Sequence, residues 1–182
     1  MNTSSFSYNV AVIFIGGEDD REALAYAERM SGHVDVSLTI LRVSLRIKKQ
    51  GEKDHTNKGK NKEAEKEKEE EEAMEMEMLM DDALYDEVKV KNISNACVVC
   101  REVVAESNAQ VMDAIQSLEA NYDLVMVGRS RYQVMELNDI EMPSSRSKNN
   151  ESLGLIGDAL VSSEVYQGWL SLLVLHRCRG PS

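Results

Sequence analysis

Residues 8–30 of the chain read YNVAVIFIGGEDDREALAYAERM, and this stretch decides the fold. Residues 8–15 are almost entirely apolar, which predicts a strand that is buried on both faces. Gly16 and Gly17 end that run, and the acidic residues after them are typical of the start of a helix. Apolar residues then recur at helical spacing as far as Met30. The stretch therefore predicts a buried strand, a glycine turn and an amphipathic helix.

The same alternation of strand and helix continues along the rest of the chain. Further strands are predicted at residues 34–40 (with apolar alternation to 47), 96–104, 124–127 and 170–175, and further helices at residues 76–88, 111–118 and 155–163. This order predicts an α/β fold with a five-stranded parallel sheet in three α/β/α layers. The expected strand order is 3-2-1-4-5, in a single domain that spans residues 1–182.

Charge is distributed unevenly over the 182 residues. The formal net charge is −11, and residues 63–87 hold thirteen acidic residues and two lysines. The remaining nineteen acidic and nineteen basic residues balance, and a basic stretch at residues 48–62 precedes the acidic one. Residues 48–72 are therefore predicted to be a low-complexity insertion, disordered or a frayed helix, and residues 129–152 a long polar loop. Such a charged segment could respond to ionic strength or serve as a solvated spacer.

Composition excludes several functional classes. An excess of acid argues against binding of nucleic acid, which needs a basic face. The longest unbroken apolar run, residues 10–15, is far shorter than the roughly 20 residues of a spanning helix, so we expect no direct membrane insertion. Three cysteines predict a reducing compartment. Cys97 and Cys100 lie on a predicted strand with their sulfurs on opposite faces, and are interpreted as buried packing thiols.

The methionines at alternate positions in the acidic segment allow two interpretations. They are Met74, Met76, Met78 and Met80. Packing on the sheet is the favoured interpretation, and an adaptable surface for a partner is the alternative.

A ligand site would be expected at the carboxyl edge of the sheet. In an open parallel sheet ligands bind where the strand order reverses, which here is between the first and fourth strands. Gly16, Gly17 and Gly128 fall at the ends of these strands. Arg129 and Arg131 follow and could attract phosphate, although pairing with Asp19 or Asp20 is the favoured interpretation. Those acids are expected to cap the first helix and to repel a nucleotide.

Two more glycines, Gly154 and Gly157, open the last helix, where Asp158 again has the wrong charge for phosphate. A tight helix start is the favoured interpretation of this pair. No signature of a hydrolase, a phosphate-binding loop or a zinc protease is present, so no catalytic residue, metal ligand or cofactor is predicted and the chain is not expected to be an enzyme. Ser144, Ser145 and Ser147 lie beside basic residues and are candidate phosphorylation sites.

Three segments carry a family resemblance. Residues 14–30 (FIGGEDDREALAYAERM), 122–129 (YDLVMVGR) and 153–163 (LGLIGDALVSS) resemble, in the same order, segments of plant cation/proton exchangers of the CHX family. The resemblance covers roughly residues 10–175. It implies a cytosolic tail of a potassium or sodium/proton antiporter that regulates cation and pH homeostasis, on the plasma membrane or an endomembrane. The partner would be the membrane domain of the parent antiporter, and the transport path would lie outside this chain.

The same resemblance implies a universal-stress-protein-like fold. It implies a homodimer through the last strand, with Leu170, Leu172 and Val174 at the contact. Nucleotide-binding members of that superfamily carry a second glycine at the position of Arg131 in this chain. They also carry a serine or threonine after a motif glycine, whereas Leu155 follows Gly154 and Asp158 follows Gly157 here. Both differences argue against ATP binding. A nucleotide sensor remains the alternative function, and an adenylate-transferring enzyme is disfavoured because the His-containing motif is missing.

Overall fold

The computed structural model describes residues 7–46, 61–118, 122–129, 153–162 and 171–177. Five strands and four helices alternate in these ranges, which confirms the predicted α/β fold. The strands are β1 (Tyr8–Phe14), β2 (Val36–Leu45), β3 (Val98–Ala105), β4 (Leu124–Gly128) and β5 (Ser171–Leu175). The helices are α1 (Glu18–Met30), α2 (Asn61–Lys91), α3 (Asn108–Gln116) and α4 (Gly154–Ser162).

All strand pairs are parallel, and the order is β3-β2-β1-β4-β5, as predicted. β1 occupies the centre because its residues are apolar on both faces. Val10, Val12 and Phe14 pack beneath α1 and α2, whereas Ala11 and Ile13 pack beneath α3 and α4. Helices therefore cover both faces of the sheet, and the reversal of strand order falls between β1 and β4.

Helix α2 begins earlier than the apolar periodicity predicted. Its first residue is Asn61, so residues 61–72 of the predicted charged insertion are helical, and residues 48–60 lie outside the described ranges. The helix reaches the domain through Asp81, Tyr85 and Val88, which are buried along one side of it.

The favoured interpretation of the four methionines is wrong. Met74, Met76, Met78 and Met80 are all exposed rather than packed on the sheet. The reason is that all four methionines come before Asp81, the first buried residue among the described side chains of α2, so this part of the helix is not covered by the sheet.

The two described cysteines correct another expectation. Cys97 precedes β3 and is exposed, so it is not a buried packing thiol, while Cys100 on β3 is half-buried. Both are free thiols. Burial raises the pKa of Cys100, an effect that nearby Lys89 partly offsets, so this thiol stays protonated near neutral pH.

Candidate functional site

The candidate site lies at the carboxyl edge of the sheet, where the loop after β1 meets the end of β4. Gly16 and Gly17 form this loop with positive φ angles of 152° and 93°, which side-chain-bearing residues rarely adopt. Gly128 is the last residue of β4. A Cβ atom at Gly128 would collide with the side chain and backbone of Asp20, so the first turn of α1 lies directly against the end of β4.

Asp20 joins these two strand ends. Its side chain is buried, and its Oδ2 accepts hydrogen bonds from the backbone N–H groups of Ile15 and Gly16, both at 2.8 Å. Its Oδ1 accepts a hydrogen bond from the N–H of Gly128 at 2.9 Å. The N-cap position of α1 is Gly17, which makes no side-chain cap bond. The expectation that Asp20 caps the helix is therefore wrong, because its carboxylate turns away from the helix to the strands.

Asp19 makes the corresponding contact with the end of β5. It accepts a hydrogen bond from the backbone N–H of Arg177 at 2.7 Å, and its Oδ2 lies 3.2 Å from Nδ1 of His176. No ion pair between Asp19 and Arg129 is formed, and pairing by Arg131 stays a prediction because that residue lies outside the described ranges. Arg129 instead donates its backbone N–H to the carbonyl of Leu175 at 2.7 Å, which extends the ladder between β4 and β5.

A second carboxylate approaches the glycine loop from the other side. Asp81 of α2 accepts a hydrogen bond from the N–H of Gly17 at 3.0 Å. Its other oxygen accepts one from Nη1 of Arg21 at 2.6 Å, and Nη2 of Arg21 donates to Glu77 at 2.7 Å. Burial alone would lower the pKa of Arg21, but the hydrogen bonds to Glu77 and Asp81 raise it, so the guanidinium remains charged.

Arg42 of β2 completes this network beneath the loop. The side chain is buried, its Nη1 donates to the carbonyl of Ile15 at 2.6 Å, and its Nη2 donates to Asp82 at 2.7 Å. The guanidinium also lies 4.6 Å from the centre of the Phe14 ring, a cation–π contact. Arg42 thus ties β2, the end of β1 and the acidic helix α2 together.

The sequence analysis did not identify Arg42 or Asp81, although the position of each in its strand or helix indicated a buried charge. Arg42 is the only charged residue in the otherwise apolar and hydroxyl-bearing strand VSLTILRVSL. Asp81 stands four positions before the buried Tyr85 and seven before the buried Val88, on the inward side of α2. A charge at a buried position of an amphipathic element indicates a partner of opposite charge in the interior.

The two carboxylates accept the hydrogen bonds of four backbone N–H groups at this edge. The backbone N–H groups of Ile15, Gly16, Gly17 and Gly128 would face an anion in the crevice. In this chain they all donate to oxygens of Asp20 or Asp81, so the protein supplies its own anion at that position. In the described part of the chain, no group of three or more His, Cys, Asp and Glu side chains is placed to hold a metal ion.

The start of α4 completes the edge. Gly154 has a φ angle of 85°, and a Cβ there would lie 3.5 Å from the backbone of Arg129. A Cβ at Gly157 would lie 2.8 Å from Leu153, so the helix start is tightly packed, as the favoured interpretation of these glycines predicted. The Leu153 N–H donates to Asp158 at 3.1 Å. The structure thus brings six of the predicted residues to this edge, whereas Arg131, Ser144, Ser145 and Ser147 lie outside the described residues.

The fold and this edge define a doubly wound α/β domain in which buried carboxylates bind the backbone N–H groups at the reversal of strand order. A family model described as the C-terminal domain of plant cation/H(+) antiporters matches residues 7–176. The chain belongs to this family, which confirms the resemblance of its three motifs.

Three relatives from Arabidopsis thaliana illustrate the match. Cation/H(+) antiporter 24 is 34% identical over 94% of this chain and 17% of its own length. Cation/H(+) antiporter 15 is 30% identical over 99% of this chain and 21% of its own length. Cation/H(+) antiporter 21 is 35% identical over 85% of this chain and 17% of its own length. The chain thus spans about a fifth of the length of these relatives.

A solved structure also shows a similarity. It is a protein of the universal stress protein family from Burkholderia pseudomallei, with 12% identity and a TM-score of 0.37, over 68% of this chain and 82% of that one. None of the helices in the described ranges is long and apolar enough to cross a membrane.

Proposed function

We propose that this chain is a regulatory and dimerising domain of a potassium or sodium/proton antiporter. It would act at the cytosolic face of the membrane, outside the transport path, and serve cation and pH homeostasis. The observation that carries the proposal is the occupation of the crevice by Asp20 and Asp81. Because these carboxylates hold the N–H groups that a phosphate would use, the edge is built to hold elements of the chain together.

The regulatory part of the proposal rests on the attachment of α2. Arg21–Asp81 is an ion pair with little exposure, but Glu77 and Asp82 are 47% and 61% exposed where they bind Arg21 and Arg42. Exposed ion pairs are weakened by salt much more than buried ones. A rise in ionic strength would therefore loosen the outer contacts of α2 while the Asp81 contact persists. The attachment of α2 would therefore weaken gradually as the ionic strength rises, and ionic strength is a quantity that an antiporter changes.

The test uses the full antiporter reconstituted in vesicles, with cation-dependent proton flux measured at low and high salt. The variant Glu77→Gln/Asp82→Asn removes the two exposed partners, and Glu22→Gln/Asp35→Asn, at two other exposed acids, is the matched control with the same change in charge. We expect the first variant to retain flux but to lose part of its salt dependence, and the control to behave as the wild type. Identical salt profiles in all three proteins would refute a regulatory role for this attachment.

Dimerisation is proposed through β5, which is an edge strand of the described sheet. Leu172 and Val174 pack on the chain's own core beside α3 and α4, so they support the strand from within. Leu173 points to the other face and is 36% exposed. Of the three expected contact residues, Leu170 lies outside the described residues. We therefore assign the contact to the backbone edge of β5 and to Leu173, with Leu172 and Val174 holding the strand in place.

Light scattering over a range of protein concentrations tests the dimer. The wild type should shift from monomer to dimer, and Leu173→Lys should weaken the shift because it places a charge at the contact. Val161→Lys is the control, since Val161 is an exposed apolar residue on α4. A wild type that stays monomeric at every concentration would remove dimerisation from the proposal.

A nucleotide sensor is the second candidate, favoured by the placement of Gly154 against Arg129 at the end of β4. This puts the start of a helix and a cation beside the crevice. Calorimetry of the chain with ATP, AMP and NAD separates the two functions. We expect no heat at millimolar ligand, and saturable binding would favour the sensor over the regulatory domain.

A further inference from the structure

The side of α2 that faces away from the sheet has a regular composition. We call this side the outer face of α2. Its residues are mostly three or four positions apart in the sequence: Glu69, Glu72, Met76, Leu79, Met80, Ala83, Asp86 and Glu87. Residues at this spacing lie on the same side of a helix. All eight are exposed, so this face does not take part in packing the domain.

The middle of the outer face is apolar. Met76 and Leu79 are 59% and 65% exposed, and Met80 and Ala83 extend the same patch. The helix packs on the domain through a different side, where Asp81, Tyr85 and Val88 are buried. A contiguous exposed patch of methionine and leucine is unusual for a surface that faces only water, and methionine adapts to partners of varied shape.

Both ends of the outer face are acidic. Glu69 and Glu72 precede the apolar patch, and Lys68 lies 3.8 Å from Glu72. Asp86 and Glu87 follow the patch, before the exposed Val90. The two acidic pairs are about 24 Å apart along the axis, from the rise of 1.5 Å per residue. A complementary partner therefore carries basic residues at two places about four turns apart, with apolar residues between them. An amphipathic helix meets both requirements.

We propose that the outer face of α2 is a docking surface for a basic amphipathic helix of a partner protein. Charge decides against a second copy of this chain, because two outer faces packed antiparallel would place Glu72 against Asp86 and Glu87. Parallel packing would place each acid against its own counterpart, and like charges at such contacts are destabilising. The acidic ends also disfavour a membrane surface, since the cytoplasmic leaflet is negatively charged.

The docking surface shares no residue with the edge at Asp20, with β5 or with the residues that attach α2 to Arg21 and Arg42, so this inference does not depend on the proposed function. The probe is a synthetic amphipathic peptide of leucine and lysine, about 18 residues long, that forms a helix of about 27 Å. A peptide of the same composition, scrambled to remove the apolar stripe, is the control for charge alone. Calorimetry with the full chain measures both.

We expect the amphipathic peptide to bind, and Met76→Gln/Leu79→Gln to weaken binding by roughly tenfold. Val34→Gln, at an exposed apolar residue far from α2 in the chain, should leave the affinity unchanged. Asp86→Lys/Glu87→Lys should weaken binding more at low salt than at high salt, because the ionic contribution is screened. All of these side chains are exposed, and circular dichroism checks that the helix content is retained.

Four results would overturn the inference. Equal affinity for the scrambled peptide, or an unchanged affinity in Met76→Gln/Leu79→Gln, would show that only the acidic charge attracts the peptide. A dimer that is lost in Leu79→Gln would identify a second copy as the occupant. Binding of the chain to phosphatidylcholine vesicles that is lost in the same variant would identify a lipid surface instead.

Discussion

The carboxylate of Asp20 accepts a hydrogen bond at 2.9 Å from the backbone N–H of Gly128, a residue 108 positions further along the chain. The same side chain holds the N–H groups of Ile15 and Gly16. One buried carboxylate therefore joins the ends of β1 and β4 at the point where the strand order reverses. In open α/β sheets a ligand binds at this position, so this chain uses a side chain where other proteins of the class place a ligand.

Replacing Asp20 by asparagine should destabilise the domain strongly. Asparagine offers one carbonyl oxygen for three N–H groups and directs its own N–H₂ toward at least one of them. Hydrogen bonds to a charged group contribute about 1.5–3 kcal/mol each, so we expect Asp20→Asn to lower the free energy of unfolding by about 3 kcal/mol. Urea denaturation followed by circular dichroism measures this loss.

The control is Glu22→Gln, which also replaces a carboxylate by an amide. Glu22 lies two residues after Asp20, at an exposed position of α1. This substitution should change the free energy of unfolding by less than about 0.5 kcal/mol. Equal stability of the two variants would show that the carboxylate at Asp20 does not hold the strand ends together.

Gly128 should tolerate no side chain. A Cβ at this position would meet both the carboxylate and the backbone N of Asp20, so the start of α1 would have to move away from β4. We expect Gly128→Ala to lower the free energy of unfolding by about 3 kcal/mol, at the upper end of the range for overpacking. Gly32→Ala is the matched control, because its Cβ would lie 3.3 Å from one carbonyl only. Similar midpoints for the two variants in urea would contradict the close approach of α1 and β4.

The fold could be predicted from the sequence because the strands are buried on both faces and therefore form uninterrupted apolar runs. The position of the edge followed as well, since Gly16 and Gly128 end the two central runs. What the carboxylates do there could not be predicted. Whether Asp20 caps its own helix or turns to the strands depends on the distance to Gly128, which is set by the packing of α1 and leaves no local pattern.

The side of α2 that packs on the sheet could not be predicted from the sequence either. Apolar residues lie on two sides of it, at Tyr85 and Val88 on one side and at Met76 and Leu79 on another. Periodicity identifies both sides but does not say which of them meets the sheet. The choice is made by Asp81, whose contacts with Gly17 and Arg21 fix the rotation of the helix. A partner 60 positions away in the sequence cannot be recognised from one chain alone.

The ion pair of Arg21 should be worth far more than an ion pair at the surface. Arg21→Gln leaves the buried carboxyl group of Asp81 without its guanidinium partner, and we expect a loss of about 3 kcal/mol in the free energy of unfolding. Lys68→Gln, which breaks the exposed pair with Glu72, should cost less than about 0.5 kcal/mol. Urea denaturation at low and high salt compares them. The prediction fails if the loss in Arg21→Gln disappears at high salt, as it would for a screened surface pair.

Tyr85 should make the domain sensitive to alkaline pH. Burial, followed by the nearby Cys100 and Glu102, raises the pKa of Tyr85 from 10.0 to about 12. In the unfolded chain the phenol loses its proton near its ordinary value, whereas in the folded chain it keeps it. The unfolded state therefore binds fewer protons between about pH 10 and pH 12, and stability falls over this window. The loss over the whole window is on the order of 3 kcal/mol for two pKa units, because the buried site disfavours the phenolate.

Tyr85→Phe should remove this alkaline loss. The hydroxyl is buried and makes no hydrogen bond in the described residues, so its removal should leave stability at neutral pH unchanged or raise it by about 1 kcal/mol. Unfolding in urea at about pH 8 and about pH 11 measures the difference between wild type and variant. Tyr26→Phe, at an exposed tyrosine of α1, is the control and should keep the wild-type pH dependence. If Tyr85→Phe lost stability with pH as steeply as the wild type, the titration of Tyr85 would not be the cause, and lysines or the Cys100 thiol would be.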